Sequence, residues 1–329
     1  VRVEILFSSR SPHVYILQTL SSFLYSDGRH NFYKGSATMA RVNITNGTDL
    51  YYGPGAHFAV AESTGAVQNV AVRWIEGQYY YVELSSPPRC LYVKTNDAHV
   101  IPGTGTIDTF VPASLNRYVK VVSTPRLGES SSYKSLDAGL ENGLEVRYLG
   151  RKAGSYVFIE FKPFDEDDTY RAWYPEASLK DPPSEMTPQQ YELNMDALEV
   201  ETNPRYQPVG AQTYCSLFAQ DVMRNCGTLL PDYGCAYIFG RLSAGFSRWI
   251  KTDFRTAQLN ANDGCPTVAL DSGHIAVVRP NDDGTAPAER REVVIAQAGR
   301  DCYEKTTLNY GWDADSPAFD EIQFYSWNY

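Results

Sequence analysis

Apolar positions change their spacing several times along this chain, and each change marks a different kind of element. Near the start, "VEILF" reads as a short strand. In "SPHVYILQTLSSFLYSDG" Ser11 stands as an N-cap, Pro12 occupies the first helical position and Asp27-Gly28 closes the helix. This strand-helix segment, residues 1–40, is too small to stand alone and is expected to pack against a later domain. From about 41 to 180 the apolar runs become short, alternate with polar positions and are broken by Gly, Pro, Asn and Asp, as in small antiparallel barrels or sandwiches. Within that stretch Val72-Arg73-Trp74 is echoed by Val146-Arg147-Tyr148, Tyr81-Val82-Glu83-Leu84 by Phe158-Ile159-Glu160-Phe161, and Arg89-Cys90-Leu91-Tyr92-Val93 by Arg171-Ala172-Trp173-Tyr174-Pro175. The offset grows from 74 through 77 to 82, as it does when matching strands are joined by loops of different length. Two copies of one small β-barrel are therefore expected, over 41–110 and 111–180.

The run "KPFDEDDTYRAWYPEASLKDPPSEM", 162–186, finishes the second copy and becomes a Pro- and acid-rich linker. Thr187, Pro188 and Gln190 then spell a capping box with proline at the first helical position. The last domain accordingly spans 187–329, mixes helical and strand periodicities, and makes the chain an α+β protein.

In "TYCSLFAQDVMRNCG" Leu217, Phe218, Val222, Met223 and Cys226 recur at helical spacing, Gly227 ends the helix, and Cys215 falls at its first turn. There the unpaired backbone N–H groups and the positive end of the helix dipole favour a thiolate over a thiol. A nucleophilic thiol also needs a base. Of the five histidines only His274 lies in the last domain, in "PTVALDSGHIAVVRP", where Asp271-Ser272-Gly273 makes a turn and "HIAVV" reads as a buried strand beginning with the imidazole. In the following β-rich run "REVVIAQAG", Gln297 is the one amide in an apolar stretch, placed to accept a hydrogen bond from the distal ring nitrogen and fix the imidazole. The backbone N–H of Cys215 is the first candidate donor to a developing oxyanion, with Gln212, Tyr206 and Tyr214 as further candidates for oxyanion or substrate contact. Asp221 reads as solvent-facing or capping.

Composition narrows the partners. The chain has 329 residues, a formal net charge of −10, 43% hydrophobic residues and 24 tyrosines. A net negative charge argues against nucleic acid or anionic membrane, whose phosphates are gripped by excess Lys and Arg. No apolar run approaches the ~20 residues that a membrane-spanning helix needs. The six cysteines have no CxxC spacing, which disfavours a zinc ribbon, and no metal or organic cofactor is expected. Cys226, Cys235, Cys265 and Cys302 read as packing or disulfide residues; a Cys226–Cys235 disulfide and two buried free thiols both fit. Nothing in the pattern sets an oligomeric state.

"NPRYQPVGAQTYCSLFAQDVMRNCG" followed by "GHIAVV" and "VVIAQAG" resembles the NlpC-like and CHAP-like papain-fold amidohydrolases, which cut amide bonds in peptidoglycan. "VNITNGTDLYYGPGAHFAVAEST" and "RWIEGQYYYVELSSPPRCLYV" resemble bacterial SH3-like domains, a family whose modules bind or orient cell-wall peptides and precede such catalytic domains. The resemblance implies a papain-like domain with Cys215 as nucleophile, His274 as general base and Gln297 in the third, orienting place. NlpC-type enzymes carry His in that third place and CHAP-type an acid or Asn. Tyr214, where the NlpC pattern has Asp, leans towards a CHAP-like variant. The implied substrate is a murein stem peptide or muropeptide, cleaved at an amide such as the γ-D-glutamyl-diamino-acid link. An N-acetylmuramoyl-L-alanine amidase or crossbridge peptidase would use the same dyad. A reading of another class is a wall-binding protein with an inert papain-like domain. The opening "VRVEILF" lacks Met, as a processed chain does. The expected location is secreted or envelope-associated, with the signal segment absent from this chain.

Overall fold

Short alternating runs build two antiparallel sheets before the linker. The computed structural model describes residues 39–163 and 166–329, so the strand and helix expected within 1–40 lie outside the described residues. The first sheet comprises β1 (Arg41–Ile44), β2 (Thr48–Tyr51), β3 (Val60–Thr64), β4 (Val67–Glu76), β5 (Tyr79–Ser85), β6 (Pro88–Lys94) and β7 (Ala98–Val100) in the order β3-β2-β6-β5-β4-β1-β7. The second comprises β8 (Leu115–Val119), β9 (Glu145–Ala153), β10 (Tyr156–Phe161), β11 (Tyr170–Pro175) and β12 (Leu179–Lys180) in the order β11-β10-β9-β8-β12. The echoed segments fall on corresponding strands: β4 with β9, β5 with β10 and β6 with β11. The order β6-β5-β4-β1-β7 in one sheet matches β11-β10-β9-β8-β12 in the other. A single 3-10 turn, Thr95–Asp97 in one and Glu176–Ser178 in the other, precedes each last strand.

Alternation decides which side chains face inward. On β4, Val70, Val72 and Trp74 are buried while their neighbours are not. Trp74, Tyr81, Tyr92, Phe110, Phe158 and Trp173 come together from both sheets in one aromatic cluster, with Trp74 stacked on Tyr81 at 4.1 Å and Phe158 at 5.1 Å from Trp173. Arg171 of β11 crosses between the sheets. Its guanidinium is 2.5 Å from Glu76 of β4 and 2.8 Å from Glu160 of β10, which keeps a nearly buried charge fully paired. Tyr81, Trp173 and Tyr174 are thus interior.

The last part of the chain carries five helices and a third sheet. The helices are α1 (Pro188–Asp196), α2 (Cys215–Asn225), α3 (Cys235–Ser243), α4 (Phe254–Asn262) and α5 (Ala318–Glu321). The strands β13 (Trp249–Thr252), β14 (Thr267–Leu270), β15 (Ile275–Val278), β16 (Val294–Ala298), β17 (Cys302–Thr307) and β18 (Gln323–Trp327) lie in the antiparallel order β13-β18-β14-β15-β16-β17. The whole is a mixed α+β fold with several sheets and few helices. Both arms of the capping box form at α1, where the Gln190 N–H donates to the Thr187 hydroxyl at 3.2 Å and the Thr187 N–H to Gln190 Oε1 at 2.9 Å. Helix α2 buries Phe218, Ala219, Val222 and Met223 and packs against β15 and β16. Burying Phe218 and Met223 stabilises that contact by roughly 1.5–3 kcal/mol each relative to exposure.

The second sheet's connections hold α3. Glu141 forms an ion pair with Arg241 and accepts a hydrogen bond from the Tyr237 hydroxyl at 3.0 Å. Gly143, at φ +84°, passes so close to Leu229 and Phe246 that a Cβ there would lie 3.0 and 3.1 Å from them. Tyr118 of β8 is buried against Trp327 of β18, ring centres 5.6 Å apart. Among the described residues no helix is long and apolar enough to cross a membrane.

Candidate active site

Two helix beginnings meet at the Cys215 sulfur. Cys215 is the first residue of α2, and Tyr214 before it takes a non-helical backbone without a side-chain cap. The Tyr214 N–H donates to the Ala298 carbonyl at 3.3 Å, tying the helix start to the end of β16. Gly227 ends the helix at φ +75°, a conformation that other residues adopt at a cost. The chain is then folded back by Gln220, whose buried amide donates to the carbonyls of Pro231 at 2.7 Å and Tyr233 at 2.8 Å. Helix α3 consequently begins beside the beginning of α2, and its first residue, Cys235, places its sulfur 3.4 Å from that of Cys215.

The imidazole is set by a turn and a register. Asp271 Oδ1 accepts from the N–H groups of Gly273 and His274, both at 2.7 Å, and its Oδ2 accepts the Trp312 indole N–H at 2.8 Å. The Trp312 ring stands edge-on to the imidazole at 4.6 Å. Strands β15 and β16 pair Val277 with Ala296 and Val278 with Ile295. Carried on one residue, that register sets Ala276 opposite Gln297. His274, two residues before Ala276, shares its face and becomes a diagonal neighbour of Gln297. Imidazole Nε2 lies 2.8 Å from Gln297 Oε1.

The orientation of the Gln297 amide follows from its other contacts. Its Nε2 donates to the carbonyls of Tyr310 at 3.2 Å and Asp301 at 3.4 Å, and both can only accept. The amide oxygen therefore faces the ring, and the nitrogen it faces, Nε2, carries a proton. In the neutral imidazole this leaves Nδ1 unprotonated as the basic nitrogen, and Cys215 and His274 each shift the other's titration towards the charged form. Gly311 leaves room for this arrangement, since a Cβ there would lie 2.7 Å from Gln297 Oε1.

Electrostatics then separate Cys215 from every other thiol. The Cys235 hydrogen bond, joined by the hydrogen bond and charge of His274 and by the Ile275 N–H, holds its thiol well below the usual range against the opposing effect of burial. Burial would lower the His274 pKa, but the hydrogen bond and charge of Cys215, with Gln297 and Asp271, raise it. Cys235 is pushed up by its hydrogen bond to Cys215 and by burial. Burial likewise pushes Cys226 and Cys265 up to about 12. These directions favour Cys215 as the thiolate and His274 as the imidazolium, with the burden of the proton shifted onto Cys235. The Cys215 N–H, in the first turn of α2, has no partner within the helix and is free to meet an oxyanion.

The remaining candidates are placed differently. Tyr206 is buried, and its hydroxyl donates to Asp221 Oδ2 at 2.9 Å, six residues beyond Cys215 and so about 9 Å along the helix. That hydroxyl is engaged away from the sulfur, so Tyr206 takes no oxyanion role in the chemistry below. Asp221 is itself buried between Tyr206, Arg205 and Arg224, not solvent-facing. Gln212 is exposed and its backbone pairs with Val209, shaping the loop ahead of α2, whereas Tyr214 contributes the backbone that starts the helix. All six cysteines are free. A Cys226–Cys235 disulfide does not form: Cys226 caps the C-terminal end of α2 and receives a hydrogen bond from Asn194 at 3.7 Å, whereas Cys235 begins α3 beside the N-terminal end of α2. Cys235, Gln220 and Trp312 are residues around the site that spacing alone did not place there, and Asp271 was legible only as part of a turn. One signal was present for Cys235, a second cysteine directly after a glycine at the start of an apolar helical run.

No protein-family model and no curated protein matches the chain. Among solved structures it is similar to NlpC2 from Trichomonas vaginalis, at 11% identity over 90% of this chain and 100% of that one, with a TM-score of 0.24. NlpC1 from Trichomonas vaginalis is 10% identical over 85% of this chain and 92% of its own, with a TM-score of 0.23. An NlpC/P60 family protein from Bacillus cereus ATCC 10987 is 10% identical over 82% of each chain, with a TM-score of 0.26. At such scores a likeness carries no residue roles across, and the chemistry rests on the distances above.

Proposed function

We propose that this protein is a cysteine hydrolase of the NlpC-like and CHAP-like papain-fold group that cleaves an amide bond in peptidoglycan stem peptides. The observation that carries the reading is the line Gln297–His274–Cys215, in which an amide of defined orientation fixes the imidazole, and the imidazole and thiol shift each other towards the charged pair. Cys215 Sγ attacks the amide carbonyl carbon while the backbone N–H of Cys215 receives the developing oxyanion. His274 protonates the leaving amine, and the C–N bond breaks to leave a thioester. Water, deprotonated by His274, then releases the acid and regenerates the thiolate.

The wall substrate is supported by the resemblance of 200–300 to these amidohydrolases and by two similarly ordered sheets over 41–110 and 111–180, which we read as SH3-like modules holding the wall peptide beside the 187–329 domain. The γ-D-glutamyl-diamino-acid link is the first bond to test, and a secreted or envelope location goes with it. Sacculi digested with the protein and analysed by mass spectrometry are expected to yield fragments with new amino and carboxyl termini at that link. Termini at the lactyl-alanine bond or a crossbridge would reassign the bond within the same chemistry. Cys215→Ala is expected to abolish release while leaving sacculus binding intact. Absence of soluble fragments from every sacculus tested overturns the hydrolase and favours a binding role.

A further inference from the structure

One cysteine outside the proposed machinery of attack and proton transfer touches the reacting sulfur. We propose that Cys215 and Cys235 form a peroxide-responsive dithiol, in which a hydroperoxide oxidises Cys215 and Cys235 closes on it as a disulfide that stops hydrolysis until a thiol reductant reopens it. The inference rests on the reactive Cys215 of the function proposed above and adds to it a modification site and the class of oxidant that acts there.

The geometry is specific to this pair. The two sulfurs lie 3.4 Å apart with both thiols free. A disulfide bond of about 2.05 Å needs them to approach by only about 1.4 Å. Each is the first residue of its own helix, and the connection between the helices is fixed by the two hydrogen bonds of Gln220. The other cysteines are engaged elsewhere: Cys226 with Asn194, Cys265 with the Trp327 carbonyl at 2.7 Å, Cys302 with the Tyr206 carbonyl at 3.4 Å, and Cys90 on β6. Packing alone would be served by any small apolar side chain at 235. A thiol there supplies what a sulfenic acid needs in order to be resolved before further oxidation makes the damage permanent.

The steps balance. The Cys215 thiolate attacks one peroxide oxygen; the S–O bond forms, the O–O bond breaks, and the departing hydroxide takes the His274 proton to become water. The Cys235 sulfur then attacks Cys215 Sγ; the S–S bond forms, the S–O bond breaks, and the second hydroxide leaves as water with the Cys235 proton. Sulfur is oxidised from two thiols to one disulfide while one hydroperoxide is reduced to two waters, or to an alcohol and a water. A dithiol reverses the change by exchange.

The test uses the full chain, treated with hydrogen peroxide, alkylated, digested and mapped by mass spectrometry. A peptide pair joined through Cys215 and Cys235, two hydrogen atoms lighter than its separate parts, is expected, with loss of both thiols and their return after dithiothreitol. Hydrolysis of sacculi is expected to be lost and regained in step. In Cys235→Ser, Cys215 is expected to proceed to sulfinic acid, which dithiothreitol does not reverse. The proposal is overturned if wild-type Cys215 reaches sulfinic acid while Cys235 remains alkylatable, if the crosslink joins another cysteine, or if Cys235→Ser recovers as completely as wild type. The crosslink is read without any activity assay, so failure of the hydrolase reading and failure of this one are separate results.

Discussion

At the scale of the residue, what distinguishes Cys215 from five other cysteines is its surroundings and not its type. A hydrogen-bond donor, an imidazolium and a helix beginning all favour its anion, whereas burial without such partners pushes Cys226 and Cys265 the other way. Iodoacetamide at mildly acid pH is therefore expected to label Cys215 and spare those two, as peptide mapping would read. The pH profile of kcat/KM follows from the same pair. Protonation of the thiolate ends activity on the acid side, and since its pKa is lowered, that limb lies below the ordinary thiol range and activity persists through neutrality. Loss of the His274 proton ends it on the alkaline side, and since that pKa is raised, the limb lies above the ordinary histidine value. The two limbs belong to the coupled pair. Cys235→Ala removes the largest influence holding Cys215 down, so the acid limb is expected to move to higher pH. Gln297→Ala frees the ring to rotate and is expected to lower kcat by about 10²-fold, the low end of what a positioned acid-base group contributes, with KM little changed.

At the scale of the element, the sequence spoke clearly where local chemistry decides. The Thr187–Gln190 box, the Gly227 stop and the Asp271 turn all rest on contacts within a few residues, which is why they were legible. Gln220 was not, because its two acceptors lie eleven and thirteen residues further on and matter only once α3 has folded back. Gln220→Ala strips the buried Pro231 carbonyl and the partly exposed Tyr233 carbonyl of their donor and is expected to cost about 1–3 kcal/mol in urea unfolding, while also separating Cys235 from Cys215 and so raising the acid limb of the pH profile. Gly311 is read through its contacts in the same way. Gly311→Ala places a methyl group against the Gln297 oxygen, and steady-state kinetics are expected to show kcat falling with the melting temperature nearly unchanged.

At the scale of the whole molecule, the second sheet's connections are tied by buried contacts to the helices and third sheet that follow. Tyr118 joins the core formed by the helices and the third sheet, and Glu141 pairs with Arg241 on the helix that presents Cys235. Glu141→Ala removes one partner of a pair whose Arg241 side chain is only 3% exposed. A loss of about 3 kcal/mol is expected, the lower end for breaking a buried pair because Glu141 is partly solvated, read as a shift in the urea midpoint. Expressed alone, residues 187–329 would expose Trp327 where Tyr118 now covers it, and are expected to melt well below the full chain.

The sequence by itself determined the echoed strands, the start of α1, the start and end of α2, and the residue types able to perform nucleophilic chemistry, because each depends on spacing along a few residues. Only the tertiary structure decided that Cys235 rather than Cys226 lies against the sulfur, that the Gln297 amide turns its oxygen to the ring, and that Tyr206 is held by Asp221. Those outcomes depend on which distant surfaces share a core, and a residue's neighbours across a fold are set by the packing of whole elements.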